Sequence, residues 1–475
     1  MTMFEDRPLR VAIVGSGPAG MYAAGHLLEG PAGTYLGGDL VDMVDRQVEV
    51  DVFDRLPTPW GLVRAGVAPD HPEKKGVSKV FEAIAARPGF RFFGKVEIGR
   101  DVAHADLAEW YDAVIYAVGA AGNRELAIPG QELTGCFSAG AFVAWYNGHP
   151  DYSHLEFDLS STRAVIIGNG NVALDVARIL TLDIGVLQQT DISDVALKTL
   201  QDSAIREVVI LGRRGAADAA FNTPELEELG HSDAADVIIE GDVESRNQAT
   251  EFGTANRTMV RKLRTLRRMA ERDPSEQRKR IVFRFFASPV RLLGTDRVEA
   301  VVVGRNEVDR HSDGHLEIRT TGEESVIETS LVLSAIGYRG APMIGLPFDH
   351  RRCVVPNRGG RVVDADKTVP GTYVTGWIKR GPTGIIGTNK KCARESVHAL
   401  VADAAARRLP TGATLSADAV TEVLLKRKLD VVPYAGWKAI DRDERRAGQR
   451  DGRPRVKYLT SEQLCAAATA QRRAG

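Results

Sequence analysis

Two short stretches carry residues whose types and spacing suit them to grip a pyrophosphate. The first is Gly15-Ser16-Gly17-Pro18-Ala19-Gly20, directly after an apolar run and ahead of an alanine-rich segment. Its spacing predicts a tight turn at Gly15, close backbone approach to phosphate at Gly17, and close helix–strand packing at Gly20. The second is Gly168-Asn169-Gly170-Asn171-Val172-Ala173, again between an apolar run and a helical pattern. Alanine in the third position loosens the helix–strand contact slightly, a change associated with NADP rather than NAD. A lone glycine fingerprint is weak, but one flanked by strand and helix has the context that the chemistry requires.

The end of the following strand selects the sugar. "VEVDVFD" ends in Asp54, an acceptor for ribose hydroxyls, although residues 29–47 are inserted ahead of it. In the second unit "REVVILGRRG" ends in Arg213 and Arg214 where an acid would select NAD. Two guanidinium groups match a 2′-phosphate with a fork geometry that lysine lacks. Two such units predict two dinucleotides, FAD in the first and NADP(H) in the second, with a hydride passed between them.

These residues need strands and helices to hold them. The runs "RVAIVG", "EVDVFD", "AVIYAVG", "AVIIG", "EVVILG", "SLVLSAIG" and "TYVTG" alternate with helical patterns. That alternation predicts an α/β chain with parallel sheets and crossover helices, here two Rossmann-like dinucleotide-binding domains. The 475 residues exceed one hydrophobic core. The expected division is an FAD part over 1–122 and 366–475, with an NADP part over 123–365. "TGWIKRGPTGIIGT" then opens the second visit to the FAD part, its glycines laying backbone against the flavin beside Trp377. A helix beginning near Gly384 or Thr388 would aim its N-terminus at the ring.

Composition narrows the classes. A net charge of −1 disfavours a globally basic nucleic-acid binder, and no apolar run is long enough to span a bilayer. Cys136, Cys353, Cys392 and Cys465 lie far apart, with no metal or iron–sulfur spacing and no redox pair. A reducing cytoplasm is the expected setting, and no metal is expected. From Arg257 to Arg280 the chain carries ten Lys/Arg against three Asp/Glu. Arg257, Arg261, Arg264 and Arg268 follow helical spacing, a basic stripe able to steer an acidic partner.

Nearly everything from Leu9 to the "GRPRVKYLT" tail resembles the NADPH–adrenodoxin reductases and bacterial, mycobacterial-type ferredoxin–NADP reductases, which are glutathione-reductase-like two-dinucleotide flavoproteins. The resemblance rests on "LPTPWGLVRAGVAPDHP", "RFFGKVEIG", "YDAVIYAVGA", "GNGNVALDVARIL", "GRRG" and "GWIKRGPTGIIGTNK". It implies FAD contacts at Ala19, Asp54, Leu62, Val96, Trp377, Gly384, Ile385 and Ile386. It implies NADP contacts from Asn169 to Val172 and at Arg213, Arg214, Glu225 and Gly384. It places His71 beside the flavin, with Glu225 or Glu228, as candidates for positioning or proton handling. It also implies a ferredoxin partner and gives the basic helix a docking role. Gly376-Trp377 stands where glutathione-reductase relatives have Gly-Asp, a departure this family shares. Of the competing readings, a disulfide reductase lacks its cysteine pair here, and a glutamate-synthase-type subunit lacks its cysteine-rich cluster region. A monooxygenase would need a substrate pocket that no motif reveals.

Overall fold

The computed structural model describes residues 7–29, 47–231, 234–240, 257–272, 275, 278–311, 316–410, 415–427 and 429–470. Most of the 29–47 insertion lies outside them. Leu9–Val14 is apolar or stem-buried at every position and is fully covered, as a strand packed on both faces must be. Val48–Asp54 and Ala113–Tyr116 flank it in parallel. Pro18–Leu28 forms the crossover helix, with proline in its first turn, where a missing N–H costs nothing.

Among the described residues the first sheet has eight strands. Their order is Asn357–Arg358, Arg361–Asp364, Lys367–Val374, Ala113–Tyr116, Leu9–Val14, Val48–Asp54, Phe90–Gly94 and Val432–Pro433. The second has six parallel strands, ordered Cys136–Ser138, Leu331–Ser334, Arg163–Ile167, Glu207–Gly212, Lys279–Phe285 and Ala235–Glu240. All seven apolar runs singled out above are strands. An antiparallel meander, Ala287–Leu293, Ala300–Arg310 and Leu316–Glu328, projects from the second sheet. Its outer strand is exposed over most of its length and so lacks the apolar signature of a core strand.

The chain passes between the sheets through a small ribbon in which Gly122–Asn123 pairs antiparallel with Tyr338–Arg339. The expected boundary at 122/123 falls inside this ribbon. The hairpin of Asn357–Arg358 and Arg361–Asp364, ahead of the expected return at 366, pairs into the first sheet. Its turn, Gly359-Gly360, has φ of 58° and 95°, the left-handed pair that a tight hairpin demands. So short an edge hairpin leaves little apolar pattern to read.

Candidate functional site

Both glycine loops sit at the carboxyl end of their sheet's central strand, where ligands bind in doubly wound folds. Gly15 and Gly168 adopt φ of 102° and 109°. A Cβ on either would come within 2.6 and 2.5 Å of the carbonyl oxygens of Ala117 and Ala335. Gly20 meets its own strand–helix turn so closely that a Cβ would lie 1.9 Å from the Gly15 oxygen. A Cβ at Gly170 would instead enter open space, and one at Gly17 would meet only Gly61 Cα at 4.0 Å, which leaves the side from which a pyrophosphate would approach. The two cradles share the first two demands, the second loop having Ala173 where the first has Gly20, and the residues present fit a dinucleotide at each.

They differ in what closes the next strand. Asp54 is half-buried, and its carboxylate accepts from Ser16 N–H at 3.0 Å, Leu56 N–H at 2.9 Å and the Ser16 hydroxyl. Burial raises its carboxyl above the ordinary range against the pull of these donors. Arg213 is exposed and Arg214 half-buried, and among the described residues neither guanidinium has a hydrogen bond or ion pair. The side chains of Asn169 and Asn171 are engaged within the protein. Asn171 Oδ1 accepts from Asn222 N–H at 2.8 Å, Asn169 O accepts from Phe221 N–H at 3.0 Å, and Asn169 Oδ1 lies 3.5 Å from Ala220 N. The second loop thereby fixes the segment leading into Thr223–His231, the helix that carries Glu225 and Glu228.

The residues expected around the flavin converge on the first cradle from four segments. Ala19 stands beside Gly376, where a Cβ would come 2.6 Å from the Ala19 Cβ, so the returning loop lies directly on the first helix. Val96 is buried, and its N–H donates to the Asp54 carbonyl at 2.9 Å. Trp377 stacks on Tyr338 at 5.6 Å and donates from Nε1 to the Thr383 carbonyl at 3.2 Å. Leu62 and Ile385 are large apolar side chains left 44% and 63% exposed, surface that a flat ring would cover. Gly384 and Ile386 precede Thr388–Ala405, the helix expected near them. Gly384 has φ of 84°, and a Cβ there would meet Thr388 Oγ1 at 2.6 Å.

His71, Glu225 and Glu228 come together across the junction of the two sheets. Lys74 joins them: its ammonium is 2.6 Å from His71 Nδ1 and 2.6 Å from Glu225 Oε2. An ammonium cannot accept, so Nδ1 accepts and the ring proton resides on Nε2. That nitrogen lies 2.7 Å from Glu228 Oε1, but off the line of a hydrogen bond. Asp175, which no motif singled out, adds a third anionic group. His71, Asp175 and Glu225 offer ligand atoms within 4.8 Å of one another. Lys74 already supplies a fixed cation beside them. Burial raises the Asp175 carboxyl, while Arg178, which also binds Asp70 at 3.1 Å, opposes that rise. Tyr146 Oη and Thr223 Oγ1 are buried without a partner among the described residues, the state expected of groups that a water or ligand completes. Asp175, Lys74 and Arg178 were missed because one partner of each, His71, Glu225 and Asp70 respectively, comes from the other unit.

The basic segment is a helix, Arg257–Ala270, and Arg257, Arg261, Arg264 and Arg268 are all exposed on it. Arg261 is held by Glu227 through bonds of 2.8 and 2.6 Å. No described helix is long and apolar enough to cross a membrane.

Comparison with known proteins agrees with this architecture. Residues 9–215 match the family described as pyridine nucleotide-disulphide oxidoreductase. The NADPH-ferredoxin reductase FprA of Mycobacterium tuberculosis is 45% identical, over 96% of this chain and 98% of that protein. The mitochondrial NADPH:adrenodoxin oxidoreductase of Arabidopsis thaliana is 41% identical, over 98% of this chain and 96% of its own. The solved structure of Mycobacterium tuberculosis FprA in complex with NADPH aligns with a TM-score of 0.90, covering 97% of this chain and 100% of that one. The chain belongs to the NADPH–ferredoxin and NADPH–adrenodoxin reductase family of pyridine nucleotide-disulphide oxidoreductases.

Proposed function

We propose that this chain is an FAD-containing ferredoxin–NADP reductase, drawing reducing equivalents from NADPH and passing single electrons to an acidic ferredoxin-type iron–sulfur protein. The observation that carries the reading is the unlike ending of two like cradles. One closes on the braced carboxylate of Asp54, the other on Arg213 and Arg214, whose guanidinium groups have no partner among the described residues. Bound in the first cradle, FAD would accept an electron pair and release electrons singly, the conversion that joins a hydride donor to an iron–sulfur acceptor.

The chain's own residues do the rest. Ser16 and Leu56 orient the Asp54 carboxylate for the ribose hydroxyls, and the Trp377–Tyr338 stack walls the flavin site against water. Arg213 and Arg214 receive the 2′-phosphate. Lys74 holds Glu225 and His71 in one arrangement, with the His71 proton on Nε2 facing Glu228. These groups order the nicotinamide side of the junction and hold a proton there.

Arg257, Arg264 and Arg268, which have no direct ion pair among the described residues, form the docking stripe for the acidic partner. Arg261 contributes less, since Glu227 offsets it. The cytoplasm, a reducing compartment, suits four free cysteines. Purified protein is expected to be yellow, to prefer NADPH over NADH and to reduce a ferredoxin. Colourless protein, or equal rates with both nucleotides, would defeat the two-cofactor reading.

A further inference from the structure

The turn carrying Arg213 and Arg214 is held from beneath by a residue in neither motif. Asn306 lies in the middle strand of the meander and is only 3% exposed. Its Nδ2 donates to the Arg213 carbonyl at 3.0 Å and lies 2.7 Å from Ser288 Oγ. The pairing of this strand with Leu316–Glu328 shifts register between Gly304 and Asn306. Such a bulge re-aims a side chain, and here Arg305 is exposed while Asn306 turns inward.

A second hold acts one residue on. Phe286 N–H donates to the Arg214 carbonyl at 3.2 Å, and Asn306 N–H donates to the Phe286 carbonyl at 2.7 Å. Phe286 has φ of 53°, a left-handed conformation that an aromatic residue keeps only where its surroundings impose it. Its ring lies under the turn so closely that a Cβ on Gly215 would come within 2.7 Å of Phe286 Cζ. Both carbonyls of the arginine pair are therefore anchored to one bracket, centred on Asn306.

Among the described residues neither guanidinium has a hydrogen bond or ion pair to preset its geometry. Two long side chains converge on one phosphate only if their Cα atoms are fixed. We infer that Asn306 is a positioning residue for 2′-phosphorylated adenosine, acting through the Arg213 carbonyl. This inference rests on the proposed 2′-phosphate role of Arg213 and Arg214.

The test is equilibrium binding of 2′,5′-ADP and of 5′-AMP to the holoprotein, wild type and variants, with no turnover involved. Asn306→Ala is expected to weaken 2′,5′-ADP about five- to tenfold, the scale of one lost buried hydrogen bond, with 5′-AMP within about twofold. Equal weakening of both ligands, or of neither, overturns the inference. If that variant does not fold, Ser288→Ala, which frees one side of the amide, is expected to weaken 2′,5′-ADP selectively by about two- to threefold. No selective change there overturns it equally. Arg213→Ala separates the two levels. Lost selectivity in Arg213→Ala with normal selectivity in Asn306→Ala sinks only the positioning role. Unchanged selectivity in Arg213→Ala sinks the 2′-phosphate reading itself.

Discussion

His26 sits on the first crossover helix, buried, with Nε2 3.3 Å from the Lys390 carbonyl. Burial lowers its pKa from 6.5 to about 4, more than the carbonyl contact raises it. Above pH 6.5 the ring is neutral in both folded and unfolded chains, and its contribution to stability is complete. As pH falls from about 6.5 towards 4, the unfolded chain takes up a proton that the folded chain refuses. Stability is lost over that window, by up to roughly 3 kcal/mol. His149, lowered to about 4 chiefly by burial, works in the same direction. Replacing His26 with Gln is expected to flatten the dependence of unfolding temperature on pH between 4 and 6.5. An unchanged slope would place the proton uptake elsewhere.

The helix Arg257–Ala270 divides its residues by face. Lys262, Thr265, Leu266 and Met269 are buried at helical spacing, and the arginines occupy the remainder. Lys262 belongs to the inner face: its Nζ donates to the Ala219 carbonyl at 2.5 Å and lies 5.2 Å from the Phe221 ring. A count of basic residues overstates the outward charge by that lysine and, in effect, by the paired Arg261. Reversing Arg257, Arg264 and Arg268 to Glu is expected to raise the KM for ferredoxin about tenfold at low salt, and less at high salt. Reduction of ferricyanide by NADPH serves as the control. A ferredoxin KM that stays put would remove this face from docking.

The two sheets are joined by more than the ribbon at Gly122–Asn123. The C-terminal stretch Arg453-Pro-Arg455-Val-Lys457 alternates its contacts between them. Arg453 binds Asp194 at 2.5 Å and Lys457 binds Asp191 at 3.0 Å, both on the second unit. Arg455 binds Asp441 and Glu444 at 2.9 and 3.0 Å on its own side, and Glu444 also takes a two-pronged contact from Arg64. Lys75 reaches Asp191 from the first unit at 2.6 Å. Asp191 thus lies between the buried Lys457 and half-buried Lys75 ammonium groups, which hold its carboxyl well below the usual range despite burial. Asp191→Asn would leave both cations uncompensated, an effect of about 3–5 kcal/mol that should appear as a clear drop in unfolding temperature. Lys457→Met leaves the Lys75 partner in place and should cost less. The reverse order would show that Asp191 does not hold the junction.

The cradles were legible in the chain because strand, glycine turn and helix are neighbours in sequence. Gly20 answers to the Gly15 carbonyl of its own turn, whereas Gly15 and Gly168 are also demanded by the distant Ala117 and Ala335 carbonyls, so the spacing shows the pattern but not the contacts behind it. Asp54 and the Arg213–Arg214 pair were legible for the same reason, each closing the strand that follows its loop. What the junction contains was decided by tertiary structure. His71 meets Glu228, Lys74 meets Glu225, Asp175 faces both, and Asn306 reaches Arg213, all across long sequence separations. No local periodicity encodes such pairs, because each side chain is explained only by a partner that the fold brings from another sheet. The glycine spacing determined that two dinucleotides have a place; the meeting of helices and loops from the two units decided which charged side chains stand between them.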